Sequence, residues 1–143
     1  MTVHLSRRYG FSASHRLHSQ KLSEEQNRLV YGKCNNPNGH GHNYEVELTV
    51  AGPVDPITGR MVDLVSLDRV AEEQILQPFR FRNLNEEVEV FRTAVPTTEN
   101  LAGEVDRRLR AIWREVFPEG PVLEKVRIWE TERNICEIHP TYE

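Results

Sequence analysis

The chain has 143 residues, 38% of them hydrophobic and 28% charged, with a net charge of −4. That length supports one domain with its own core, read here as a single domain over 1–143, and the acidic balance argues against nucleic acid or an anionic membrane as partner. No apolar run reaches transmembrane length, the N-terminus lacks a signal-peptide core, and Cys34 and Cys136 form no C-x-x-C pair, so a cytoplasmic protein with reduced thiols is expected.

From Val3 the odd positions read Val3, Leu5, Arg7, Tyr9, Phe11, Ala13, His15, and the even positions are mostly polar. With Arg7 as the one exception, this period of two predicts a strand whose apolar face ends in His15. Residues 16–41 are polar and turn-rich, with a short helical piece near Leu22–Asn27. His18 lies three residues beyond His15 and reads either as a further ligand or as a loop histidine.

The stretch Gly32-Lys33-Cys34-Asn35-Asn36-Pro37-Asn38-Gly39-His40-Gly41-His42-Asn43-Tyr44 is the most informative part of the chain. Its Asn-Asn-Pro-Asn-Gly centre is turn chemistry, since Asn and Gly accept positive φ and Pro fixes the turn entry. Alternation follows at once, with Tyr44, Val46, Leu48 and Val50 on one side. The same phase counted backwards puts His42 and His40 on that apolar side. A single histidine at a strand end is more often capped or solvated than a ligand. Burying two rings without partners is costly, however, so an inward-facing His-x-His pair is placed to share a metal ion. If the two strands pair antiparallel, His15 joins the pair at the same end of the sheet.

Turn signals fill 51–59, and Met61 and Val62 are expected to resume a brief strand. Ser66 is a cap for a helix carrying Leu67, Val70, Ala71 and Ile75, which Pro78 should stop. Residues 79–96 show no period. Thr98 is a second cap, with Glu99 in the first turn of a helix whose stripe runs from Leu101 to Val116. Strands at Val122–Glu130 and Ile135–Ile138 close the chain, with Cys136 read as core. The order strand, strand, helix, helix, strand, strand is an α+β layout, one antiparallel sheet with the helices on one face. Val122, Val126, Ile128 and Glu130 share a phase, so Glu130 looks inward. It either reaches water at the strand end or offers a fixed carboxylate to a planar, guanidine-like edge such as that of a 2-amino-4-oxo-pteridine.

Over essentially its whole length the chain resembles the 6-pyruvoyl-tetrahydropterin synthase family. The matching pieces are Phe11-Ser12-Ala13-Ser14-His15-Arg16-Leu17, the full Gly32–Tyr44 stretch, Thr97-Thr98-Glu99-Asn100 and Trp129-Glu130-Thr131. The Cys-to-His spacing resembles the pyruvoyl branch more than the related 6-carboxytetrahydropterin synthases. The resemblance implies the tunnelling fold, with subunits assembling into a barrel and a homohexamer of two trimers. It implies zinc on His15, His40 and His42, with an open coordination position. Cys34 would be the proton acceptor, rather than a fourth zinc ligand or an inert turn thiol. Glu130, supported by Thr97, Thr98 and Glu99, would anchor the pterin. The implied reaction converts 7,8-dihydroneopterin triphosphate to 6-pyruvoyl-tetrahydropterin with loss of triphosphate.

One stretch departs from the family pattern. Where the family carries an Asp-His pair in a Leu-Asp-His-x-Asn-Leu context, this chain has Phe79-Arg80-Phe81-Arg82-Asn83-Leu84. Phe cannot relay a proton as His does. The alternatives are therefore a carboxy-synthase-like enzyme or a catalytically impaired pterin-binding protein.

Overall fold

A computed structural model describes residues 1–140. Four strands, β1 (Thr2–His15), β2 (His40–Pro53), β3 (Val122–Trp129) and β4 (Ile135–Ile138), form one antiparallel sheet in the order β1-β2-β3-β4. The helices are α1 (Glu24–Tyr31), α2 (Leu64–Ala71), α3 (Gln77–Phe79), α4 (Leu84–Glu87) and α5 (Thr98–Val116). This is the α+β layout that the alternation predicts, and it agrees with the tunnelling fold that the resemblance implies. The alternating apolar positions of β1, β2 and β3 bury their side chains against α2 and α5, with Val46, Leu48, Val126, Leu67, Leu101 and Leu109 fully enclosed.

The other face of the sheet is polar and internally paired. Arg8 reaches Glu47 at 3.0 Å, Ser6 bonds Thr49 at 2.8 Å, and the Arg8 guanidinium lies 4.4 Å from the centre of the Trp129 ring.

Several local expectations are corrected. Met61 and Val62 form no strand; Val62 instead plugs the core and Met61 packs over Gly52. The cap of α2 is Asp63, not Ser66, because its carboxylate takes both the Val65 N–H and the Ser66 hydroxyl. Pro78 does not stop the helical stretch. A π turn over Glu72–Leu76 intervenes, with the Gln77 N–H donating to the Glu72 carbonyl, and Pro78 enters at the start of α3, where a missing N–H costs little. The cap of α5 is Thr97, one residue before Thr98. Within β3 the inward residue near the start is Leu123 (3% exposed), while Val122 is 46% exposed. The register shift at Thr49/Val50 admits one extra residue on β3 and reverses the phase there. Two short helical pieces, α4 and a 3₁₀ turn at Glu89–Arg92, occupy the aperiodic 79–96 region.

One edge of β1 is clipped at its C-terminal end. The Phe81 N–H donates to the Ser12 carbonyl at 2.7 Å, and the Ser14 N–H donates to the Arg82 carbonyl at 2.9 Å. The clip holds Phe81 at φ 59°, left-handed backbone that a bulky side chain seldom adopts, with its ring 80% exposed.

Candidate metal and ligand site

Strand register assembles the metal candidates. His15 pairs with His40 across β1 and β2, and Ala13 with His42, so all three imidazoles project from one end of the inner face. The turn feeding β2 depends on Gly39. At φ +71° it runs so close to β1 that a Cβ on it would lie 2.9 Å from the His15 carbonyl oxygen, so only glycine passes there without displacement.

The three ligand nitrogens lie within 4.8 Å of one another, and the rings stand edge to face, with centroids 4.7 to 5.0 Å apart. His15 is 1% exposed. Its Nδ1–H donates to the Pro96 carbonyl at 2.8 Å, which fixes the tautomer and leaves Nε2 as a bare lone pair. That Nε2 lies 3.0 Å from His40 Nε2, and His42 Nε2 is buried without a hydrogen-bond partner among the described residues. Converging lone pairs and an orphaned buried nitrogen fit a shared cation, and a three-imidazole set fits a tetrahedral metal with one position open. Burial pulls the His15 pKa down, against the opposing pull of the Pro96 carbonyl and Glu130. It does the same to His42, against Glu130. Both rings are thereby kept in the neutral form that a metal requires.

Glu130 closes the site from the end of β3. Its carboxylate oxygens lie 3.9 Å from His15 Nε2 and from His42 Nε2. Thr98 donates its hydroxyl to one oxygen at 2.7 Å, and the Asn134 amide donates to the other at 3.2 Å. The Glu130 N–H is tied to the Asn134 carbonyl at 3.0 Å, so the turn after β3 fixes backbone and side chain together. Burial would raise the Glu130 pKa, but the Thr98 and Asn134 hydrogen bonds and the two histidines bring it below the ordinary carboxylate value.

Of the other sequence candidates, Thr97 serves as the α5 cap through the Asn100 N–H, and Glu99 is exposed in the first turn. Cys34 is a free, half-buried thiol on a 3₁₀ turn (Gly32–Asn35), and its carbonyl accepts the Leu17 N–H at 2.9 Å. The Tyr44 hydroxyl lies 3.3 Å from His15 Nδ1; burial holds its pKa well above the phenol range, with Glu130 and Cys34 adding to the effect. His18 is outside the cluster, accepting a hydrogen bond from the Asn35 amide at 3.0 Å. Arg80 turns to Glu72 at 3.1 Å, and Phe81 faces solvent beside β1.

Sequence reasoning missed Pro96, Tyr44 and Asn134 as supports. Pro96 acts through its carbonyl, which carries no residue signal. Tyr44 reads as strand core. Asn134, four residues past Glu130 across a turn, was the most findable.

A family profile described as 6-pyruvoyl tetrahydropterin synthase matches residues 4–141. The chain is 50% identical over 131 residues to the 6-pyruvoyl tetrahydrobiopterin synthase of Homo sapiens, covering 92% of this chain and 87% of that one. A solved 6-pyruvoyl tetrahydropterin synthase structure from Caenorhabditis elegans superposes with a TM-score of 0.90 at 40% identity, covering 99% of this chain and 97% of that one. A putative 6-carboxy-5,6,7,8-tetrahydropterin synthase of Archaeoglobus fulgidus is 33% identical over 99 residues, 69% of this chain and 74% of that one.

Proposed function

Because the chain belongs to the 6-pyruvoyl tetrahydropterin synthase family, we propose that it is a zinc-dependent lyase converting 7,8-dihydroneopterin triphosphate to 6-pyruvoyl-tetrahydropterin with loss of triphosphate. The observation that carries this reading is the Glu130 carboxylate, 3.9 Å from two of three clustered imidazoles. It supports the reading because a carboxylate suited to a pterin's amino-pyrimidine edge and a histidine group that could hold a metal lie within one small ligand's reach. Likeness to the carboxy synthase is weaker, at 33% against 50% identity, so that branch is not favoured.

His15, His40 and His42 would hold the zinc, which when bound polarises the substrate's side-chain oxygens and acidifies the adjacent C–H bonds. The ionised Glu130 accepts two N–H bonds from the amino-pyrimidine edge, and Thr98 and Asn134 hold it in place. Cys34 accepts the side-chain proton. Thr97 and Glu99 support the anchor indirectly, by starting α5 where Thr98 can reach Glu130. Incubation with dihydroneopterin triphosphate, followed by mass spectrometry, tests the reading; recovery of unchanged substrate from zinc-loaded protein refutes it.

We further place the protein in the cytoplasm as a homohexamer of two trimers. The exposed edges of β1 and β4 support assembly, since unpaired strand edges seek partners. No helix among the described residues is long and apolar enough to cross a membrane. A stable monomer in light scattering at micromolar concentration would contradict the assembly.

A further inference from the structure

We infer that the groove between α1 and the 3₁₀ turn carrying Cys34 is a polyphosphate subsite that receives the substrate's triphosphate; the identity of that substrate rests on the synthase reading above. The groove measures about 360 Å³ and is lined by Arg16, His18, Arg28 and Lys33, with Glu24 the one acid among the described residues. A chain of net charge −4 gathers three fixed cations there. Arg7, Arg8 and Arg127 of the sheet and Arg107, Arg108 and Arg110 of α5 are paired with carboxylates. Among the described residues, no carboxylate pairs with Arg16, Arg28 or Lys33. Like charges sharing a concave, partly walled space repel, and an anion long enough to touch several of them relieves the repulsion.

The groove borders the reactive site. Arg16 follows the ligand His15, and Lys33 precedes Cys34. A second cleft of about 290 Å³ shares Arg16, His18 and Pro37 with the groove and extends to His15. A ligand anchored at the histidine cluster can therefore send a flexible anionic tail towards α1.

The walls are built rather than incidental. Asn27 is fully buried; its amide accepts from the Ser19 N–H at 2.7 Å and donates to the Ser19 and Ser23 carbonyls, fixing the loop from which α1 starts. Asn35, also buried, donates to the Leu17 carbonyl at 2.8 Å and to His18 Nδ1 at 3.0 Å, and its own carbonyl accepts from Arg16 Nε at 3.1 Å. With His18 Nδ1 acting as acceptor, the ring proton sits on Nε2, as a donor for an anion. Among the described residues, the terminal N–H groups of Arg16 meet no acceptor. Fixed walls and uncommitted donors are what a pre-organised phosphate site requires.

The test uses the zinc-loaded protein and inorganic tripolyphosphate, titrated calorimetrically at low and high salt. The parent should bind it, more weakly as salt rises. Arg28→Gln with Lys33→Gln, both exposed positions that leave the fold intact, should weaken that binding about tenfold or more. The same double variant should lower kcat/KM for dihydroneopterin triphosphate by a similar factor, while affinity for dihydroneopterin, which lacks the phosphates, stays unchanged. No tripolyphosphate binding by the parent at low salt, or equal binding by the double variant, overturns the inference. Normal turnover by the double variant overturns it too, and leaves the synthase reading standing. Loss of tripolyphosphate binding in the double variant, with a parent that turns over no substrate, supports the groove and sinks the synthase reading instead.

Discussion

The Thr98 hydroxyl donates to the Glu130 carboxylate at 2.7 Å, joining the first turn of α5 to the end of β3. Thr98 is 2% exposed, so its hydroxyl has no water to fall back on. The bond also explains why the cap is Thr97. A threonine at the cap turns its oxygen to its own helix, and Thr98 is needed across the site.

Glu130→Gln should therefore weaken pterin binding by about 1.5–3 kcal/mol, the scale of a hydrogen bond to a charged group. Thr98→Val should weaken it less, since Asn134 still holds one carboxylate oxygen. Zinc content should be unchanged in both. Calorimetry giving equal pterin affinity for Glu130→Gln and parent would return Glu130 to a structural role.

His42→Ala should abolish stoichiometric zinc binding, because it removes one of three convergent nitrogens. Tyr44→Phe should lower affinity far less, as His15 keeps its Pro96 hydrogen bond. Metal analysis after zinc loading and gel filtration separates the two. Full retention of zinc by His42→Ala would show that the cluster is not the site.

The metal-free protein should lose stability as pH falls below 6.5. Burial holds His15 and His42 below their ordinary value of 6.5, so in that window the unfolded chain binds more protons than the folded one. Their contribution is fully present above 6.5 and is lost as pH drops through the folded values. Glu130, whose pKa is lowered from 4.5, acts only below that value, so melts kept above it read the histidines. Denaturant melts of metal-free protein at pH 7.5 and 5.5 measure the slope. A His15→Gln, His42→Gln variant showing the same slope would remove these rings as its cause.

The pair Arg80→Asp with Phe81→His should raise turnover of dihydroneopterin triphosphate. A positioned general acid–base group contributes about 10²–10⁴-fold, and neither present side chain supplies one. The gain should disappear when Cys34→Ala is added. Breaking the Arg80–Glu72 ion pair costs little, since both side chains are partly exposed. If kcat stays flat with zinc intact, Arg80 and Phe81 do not stand in for a lost relay.

The sheet and the histidine cluster were legible because a period of two fixes face as well as element. His15, His40 and His42 each inherit their direction from the strand behind them. Local competition hid the rest. Thr97 and Thr98 are equally competent caps, and only the position of Glu130 decides between them. Ser66 looks like a cap until Asp63 supplies a stronger acceptor. Pro78 reads as a stop, whereas the π turn before it makes room for a residue without an N–H. Val122 follows the alternation on paper, and a bulge matched to Thr49/Val50 moves it outward. The basic groove left no periodic trace, since Arg16 follows the end of β1 while Arg28 and Lys33 come from α1 and the turn after it, and the fold lays the two segments side by side.

The clip formed by Phe81 and Arg82 also acts as an end stop. It occupies the outward hydrogen-bonding groups of Ser12 and Ser14, and no other described segment bonds that edge of β1. A strand arriving from another copy of the chain can zip along Thr2–Gly10 and no further. Its sliding is thus limited from one side. A short, strained loop far from β4 would in this way set how neighbouring sheets line up.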